Sequence, residues 1–486
     1  MTTPRAGTVR EGRLEWATCA ALTAIAIAIR VHRLTEWSVS DDEYWTWRSS
    51  LEFTWSNPRP LLFAANHYLI SPVFGLRELG LRIIPAAAGI AAVPAVYTLL
   101  RRLDLRLEGL ATAALIALST WHVYWSQFAR YYSLVFLFSA LYGLALLGWL
   151  RRRRAGWLCL AAASGILAVL AHPSALPIVG SGALVVAGHE HAGSRRPGSM
   201  WPWAVALGAA LVAALVRYGP VLARWSTHRE YPWGHTSLPL ALTFLDWMTA
   251  PVVLCALVGM AFWWRVERGP VPQIVVVSAL LPTALFLGLS ELMMVSASYL
   301  FAAAPFYFLA AGWLLARVAQ SVAAPGRTPF VPGAVAVVVV ASANLVGLAS
   351  HFRDGGRLPW RDAAYALRPL TGARDSILAE SRGQYLQFYV SQLPVSALPE
   401  DSLTLDRVVD RGGAPWVLVP RVDRAGFGYY ERMLAEVYAW LDAHCKLTRD
   451  FTTPRLDFRR NELQLFRCRS GARETARGAS LTARSK

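Results

Sequence analysis

The chain has 486 residues, 55% hydrophobic and only 16% charged, whereas an ordinary soluble domain carries about 25% charged residues. That balance, with a mean hydropathy of +0.36, excludes a soluble globular protein and predicts a polytopic α-helical membrane protein. The net charge of +17 does not form the basic stripe with interleaved aromatics that nucleic-acid binding needs; much of it lies in short clusters between apolar runs.

A membrane-crossing helix needs about 20 apolar residues, and eleven stretches come near that length, roughly 14–34, 82–100, 108–126, 132–150, 156–171, 174–188, 201–219, 248–265, 271–290, 299–318 and 330–350. The first has no small-residue cleavage site and reads as an anchor. With the N-terminus cytoplasmic, the clusters "RRLDLR", "RRRR", "SRR" and "WWRVER" all fall on the cytoplasmic side, as the positive-inside rule requires. The reading is a multi-pass protein of the inner or plasma membrane. Its loops 35–81 and 220–247, the turn 127–131 and everything after 351 lie on the extracytoplasmic face.

In the first outer loop, "SVSDDEYWTW" sets Asp41, Asp42 and Glu43 beside aromatics at the end of the first apolar segment. Ser40 and Glu43 have capping-box spacing, with Asp41 and Asp42 in the first helical turn, so a helix start alone accounts for these residues. A carboxylate at a membrane face can also act as general base towards a hydroxyl when the leaving group is good, as a polyprenyl phosphate is. Such a leaving group needs cations. Arg59, Arg82, Arg130, Arg217, Arg224 and Arg229 are on the predicted outer side, as are His67, His172, His228 and His235. Each alone also fits a residue snorkelling to the interface. The rest of the loop, rich in aromatics and too short to span, predicts one or two helices lying in the interface plane.

Tyr44, Tyr131 and Glu291 complete the candidates for a substrate cavity. The ordinary alternatives are belt aromatics for the tyrosines, a turn residue before Pro173 for His172, and a helix-end polar group for Glu291. After 351 the texture becomes that of a small α/β domain. "WRDAAYALRPL" and "YYERMLAEVYAWLDAH" read as helices, and "DSILAE", "PWVLVP", "KLTRDF" and "ELQLFR" as strands. Boundaries are thus 1–350, 351–470 and a polar tail, 471–486, predicted to be disordered. Cys445 opens one strand and Cys468 closes another, so antiparallel pairing permits a disulfide in an oxidising compartment; two free thiols are the alternative.

The phrase "AIRVHRLTEWSVSDDEYWTWRSS" resembles the first-loop signature of GT-C transferases that use lipid-linked sugars. These include the protein O-mannosyltransferases and the lipid A aminoarabinose transferase. "NPRPLLFAANHYL", "ELGLRIIPAAAGIAAVPAVYTLLRRL", "STWHVYWSQFARYYSLVFLFSALYGLAL" and "SASYLFAAAPFYFLAAGWL" follow in the family's order. The resemblance covers about residues 1–320 and implies an inverting transferase. Such an enzyme moves a sugar from a polyprenyl-phosphate donor to an acceptor hydroxyl of an envelope lipid, glycan or protein. It implies Asp42 as base, with Asp41 as an adjacent competitor, and aligns Arg130 and Tyr299 with family positions. Three departures stand out. Phe128 replaces an acidic residue two before the arginine, Ser298 replaces an arginine before Tyr299, and Arg59-Pro60 replaces a Pro-Pro pair. A metal site built on that acid is therefore doubtful, and phosphate contacts shift to Arg59 or the 220–247 loop. Some relatives hold a divalent metal ion and others do not, so the cofactor stays open. The rival reading, a multispan transporter or lipid-linked-sugar flippase, predicts polar residues or Gly/Pro breaks at mid-membrane depth.

Overall fold

The structure, a computed structural model, describes residues 6–193, 216–220, 223, 236–293, 295–323, 329–354, 357–371, 375–379, 383–399, 403–407, 415–421, 428–454 and 460–469. The chain divides into two compact units. One comprises Met1–Leu34 with Thr46–Leu348, the other Thr35–Trp45 with Ala349–Lys486. The acidic segment thus falls in the second unit.

The first unit is helical. Its long helices are α1 (Ala6–Val31), α5 (Glu78–Arg102), α8 (Tyr132–Arg152), α9 (Ala155–Ala171) and α10 (Leu176–Gly193). Beyond the expected span 201–219, most of which is outside the described residues, come α11 (Ser237–Met248), α12 (Ala250–Val266), α13 (Pro270–Ser290), α14 (Ala304–Val322) and α15 (Phe330–Ser342). By length and composition, four described helices can cross a membrane, or up to six if each bent pair counts as one span. Eleven uninterrupted spans are therefore not what the described residues show. The expected span 108–126 is split into α6 (Arg106–Leu118) and α7 (Thr120–Ser126). α11 and α12 meet at 98°, and α15 meets α16 (Leu345–Asp354) at 52°. Hydropathy registers apolar length, not the backbone breaks within it.

The α6–α7 break is built by buried polar groups. Ser119 has extended backbone and accepts the His122 N–H at 3.3 Å, capping α7. The last carbonyls of α6, left without helical partners, accept from Arg30 of α1, at 3.0 Å for Ile116 and 3.1 Å for Ala117. Arg30 is fully buried and also reaches Ser126 Oγ at 3.2 Å and His122 Nδ1 at 2.7 Å. Gly89 of α5 leaves room for this, because a Cβ there would collide with Ser126 Oγ. Asn344, between α15 and α16, accepts the Thr120 N–H through its Oδ1 at 2.9 Å. The end of α7 is fixed by Gln127, whose amide donates to the Ile29, Arg30 and His32 carbonyls.

Charge separates along this bundle. One end gathers Glu15 with Arg101 and Arg106, Arg152 with Asp104, Arg153 with Glu190, and Arg317 with Glu108 and Glu267. Arg82 lies near the start of α5 and Arg101 near its end, so about 30 Å of helix, one hydrocarbon thickness, separates them. The chain is a multi-pass membrane protein in which Arg59, Arg130 and His172 gather at the Arg82 end.

In the interfacial loop lie α2 (Asp41–Leu51), α3 (Pro60–Ala65), a π-helical turn Asn66–Ile70 and α4 (Ser71–Phe74). Trp55, Tyr68, Leu69, Val73 and Phe74 are exposed along it, as residues dipping into a lipid interface are.

The second unit carries a five-stranded sheet, with α17 (Trp360–Leu367), α18 (Gln384–Tyr389) and α19 (Gly428–His444). Strand order is β2 (Val395–Ala397), β1 (Ile377–Ala379), β3 (Trp416–Arg421), β5 (Arg460–Cys468), β4 (Cys445–Pro454). β1 runs parallel to both neighbours, while β3–β5 and β5–β4 are antiparallel. Register places Cys445 opposite Cys468, and the two are disulfide-bonded. The tail 471–486 is outside the described residues.

Candidate functional site

In the membrane unit the polar groups converge on Tyr131. Pro60 at the first position of α3, with its φ already helical, fixes where Arg59 stands, just before the helix. The Arg59 guanidinium donates to the Tyr131 hydroxyl and lies 5.2 Å from its ring centroid. Arg130 follows α7 and is nearly buried; its guanidinium carbon is 5.1 Å from the same ring, and Nη1 donates to Thr46 Oγ1 at 3.4 Å. His172, fully buried where α9 ends, stacks on Tyr131 with centroids 4.6 Å apart and planes 15° apart. Tyr299 and Tyr132 sit 5.1 Å and 5.7 Å from the His172 ring. Ser298 donates to the Tyr132 hydroxyl at 2.9 Å. Arg59, Arg130, Tyr131, His172 and Tyr299 thus form one cluster.

Two guanidiniums meet in this cluster, against the Tyr131 ring. Among the described residues no carboxylate pairs with Arg59, and its enclosed Nε has no acceptor. A half-buried cation with an enclosed Nε and no carboxylate beside it can accommodate an anion. Burial, reinforced by the positive charges of Arg59 and Arg130, holds the His172 imidazole well below its ordinary range; it is neutral at pH 7.

The acidic segment has its own setting, within the second unit. Ser40 N–H donates to the Glu43 carboxylate at 3.1 Å, half of a capping box. Glu43 is fully buried, and both its oxygens face Arg357, at 3.3 Å and 3.4 Å. Glu43 is thus paired with Arg357 at the helix start. Arg361 donates to the Thr35 and Trp37 carbonyls, and the Tyr389 hydroxyl accepts the Val39 N–H at 2.5 Å. Tyr44 is buried against Tyr385, with centroids 5.1 Å apart, rather than lining an open surface. Asp42 is half-buried in the first turn of α2; the Asp41 side chain is outside the described residues. Sequence reasoning missed Arg357 and Arg361, more than 300 residues from their partners, a distance that leaves no local pattern.

The other candidates disperse. Arg82 is fully buried and donates to the Leu34 carbonyl at 2.8 Å, closing the loop after α1. His67 Nδ1 is 2.8 Å from the Ser50 carbonyl, and its ring packs on Phe53 and Tyr68. Glu291 accepts the Ser237 N–H at 2.8 Å, bridging α13 to α11. His228 and Arg229, like Arg224 and His235, lie outside the described residues. Phe128 stacks on Tyr124. Among the described residues no three His, Cys, Asp or Glu side chains are grouped to hold a metal ion.

No protein-family model and no curated protein matches the chain by sequence. Solved structures do match by fold. ArnT from Cupriavidus metallidurans bound to undecaprenyl phosphate superposes with a TM-score of 0.55 at 15% identity, covering 95% of this chain and 98% of that one. Its apo state gives 0.53 at 15% identity over the same shares. The Archaeoglobus fulgidus oligosaccharyltransferase, in complex with Zn and sulfate, gives 0.54 at 14% identity, covering 88% of this chain and 71% of that one. At such identities the likeness speaks for the fold, and the fold is GT-C.

Proposed function

We propose that the chain is an inverting glycosyltransferase that moves a sugar from a polyprenyl-phosphate donor to an acceptor hydroxyl on the extracytoplasmic face. The observation that carries this reading is Arg59: a half-buried guanidinium with an enclosed Nε and no carboxylate among the described residues, set beside Arg130 against Tyr131. A phosphate headgroup supplies the missing anion, and two guanidiniums match its oxygens in charge and geometry. The GT-C fold, and a neighbour of that fold with undecaprenyl phosphate bound, support a lipid-linked donor.

In this mechanism Asp42, assigned from its place in the first-loop signature, takes the proton of the acceptor hydroxyl. The oxygen then attacks the anomeric carbon from the face opposite the phosphate. The carbon–oxygen bond to phosphate breaks with inversion, and the electron pair leaves on the polyprenyl phosphate. Stabilising that developing charge is the largest service a preorganised cationic site renders.

The test is mass spectrometry of envelope lipids and glycans from a strain lacking the gene, complemented with the native chain or with Asp42→Asn. A glycosylated species should vanish on deletion and return with the native chain only, while Asp42→Asn accumulates at native levels. Full restoration by Asp42→Asn removes the base assignment. An unchanged envelope removes the transferase reading.

A further inference from the structure

His172 is more than packing for Tyr131. Its Nδ1 accepts the Ser174 backbone N–H at 3.1 Å and lies 2.8 Å from Ser174 Oγ. A backbone amide can only donate, so Nδ1 carries the lone pair and the ring proton sits on Nε2. The turn that fixes this arrangement is local. His172 has extended backbone at the end of α9, and Pro173 opens the short 3-10 turn Pro173–Ala175 with Ser174 inside it. Nε2 is enclosed and has no acceptor among the described residues. A buried N–H with no partner is costly, and native structures rarely leave one unused. The groups around it are the Tyr131, Tyr132 and Tyr299 rings and the guanidiniums of Arg59 and Arg130. Arg59 Nε is enclosed and unpartnered in the same way.

We infer that the Nε2–H of His172 donates a hydrogen bond to an oxygen of the lipid phosphate headgroup, acting beside Arg59 and Arg130 as a third donor of the anion site. The inference rests on the transferase reading above and extends it, naming a substrate-binding residue and its tautomer. An uncharged donor suits the position, since a third cation beside two guanidiniums would be repelled. His172 is not an acid or base in this scheme: no proton moves through it, and its bond serves the phosphate before and after the sugar departs.

The experiment measures binding of three probes to the detergent-solubilised full chain: a long-chain polyprenyl phosphate, the matching polyprenol, and inorganic phosphate. His172→Phe, which keeps the ring stack and removes the donor, should weaken the polyprenyl phosphate about tenfold or more, the worth of one hydrogen bond to a charged group. His172→Gln, which restores an N–H donor, should come back to within about threefold. Polyprenol binding should be unchanged in both variants. The ratio of native to His172→Gln affinity should stay constant from pH 5.5 to 8, because His172 carries no charge to lose. Native affinity in His172→Phe overturns the inference, as does an equal loss of polyprenol binding, which marks a packing role. A ratio that changes through the imidazole range overturns the uncharged donor. Inorganic phosphate bound as tightly, with the same dependence on His172, overturns the lipid headgroup as ligand. If the native chain binds no polyprenyl phosphate, the transferase reading fails; if it binds and His172→Phe binds equally, only the role of His172 fails.

Discussion

A guanidinium with an enclosed Nε and no carboxylate among the described residues is a liability to folding unless a ligand uses it, and Arg59 occupies that position. Function and stability therefore pull in opposite directions at this residue. Arg59→Met keeps most of the side-chain volume, removes the stranded charge and leaves the Tyr131 hydroxyl to solvent or a neighbour. The melting temperature of the ligand-free protein should hold or rise, since an apolar group of similar size in place of a half-buried charge without a carboxylate beside it costs little. Affinity for polyprenyl phosphate should fall by roughly ten- to a hundredfold, the worth of a charge-assisted bond. A variant that melts lower and still binds at native strength would make Arg59 a structural residue. Arg82 offers the contrast: fully buried, it donates to the Leu34 carbonyl, so charge and burial alone do not identify a ligand-binding arginine.

At the scale of elements, the helix carrying Asp42 starts where it does because Glu43 is gripped by Arg357 and returns a bond to Ser40 N–H. Breaking one side of a buried pair costs about 3–5 kcal/mol, because the survivor stays charged and unpaired. Arg357→Met should therefore lower the stability of the second unit by that order and depress transfer as well. Adding Glu43→Gln to it should recover most of the stability, a coupling that a double-mutant cycle in thermal melts will read. If the two single losses simply add, the pair is not what sets the helix start. The capping-box spacing of Ser40 and Glu43 was visible in the sequence, and so were the apolar periodicity, the basic clusters and the α/β texture after 351. Those signals are local or compositional. What escaped was whatever depends on chain segments meeting: Arg357 on Glu43, Arg30 filling the break between α6 and α7, and Asn344 holding Thr120. Hydropathy has no means of seeing a break that a distant guanidinium sustains. It also ranked Arg82 and His67 with Arg59, since all three share a predicted side; only packing separates them.

For the molecule as a whole, two independent physical arguments bear on its proposed orientation. The first is the end of the membrane unit holding Arg101, Arg102, Arg106, Arg151, Arg152 and Arg153, a density of cations that translocation disfavours and the cytoplasmic side retains. The second is the Cys445–Cys468 bond in the second unit, which persists only where the compartment is oxidising. Cys19, Cys159 and Cys255, by contrast, are free and lie in the helices of the membrane unit. Variants with those three replaced by serine, the Cys445–Cys468 pair kept and one reporter cysteine added turn the arguments into a measurement. A cysteine replacing the exposed Trp55 should react with a membrane-impermeant maleimide in intact cells. One replacing the exposed Arg102, at the far end of α5, should react only after permeabilisation. Cys445 and Cys468 should stay unlabelled until reductant is added, and then label without permeabilisation. The reverse pattern would put Asp42, Arg59 and His172 against the cytosol, where an acceptor on the extracytoplasmic face could not reach them. It would then be the orientation, not the chemistry of the cluster, that has to be reassigned.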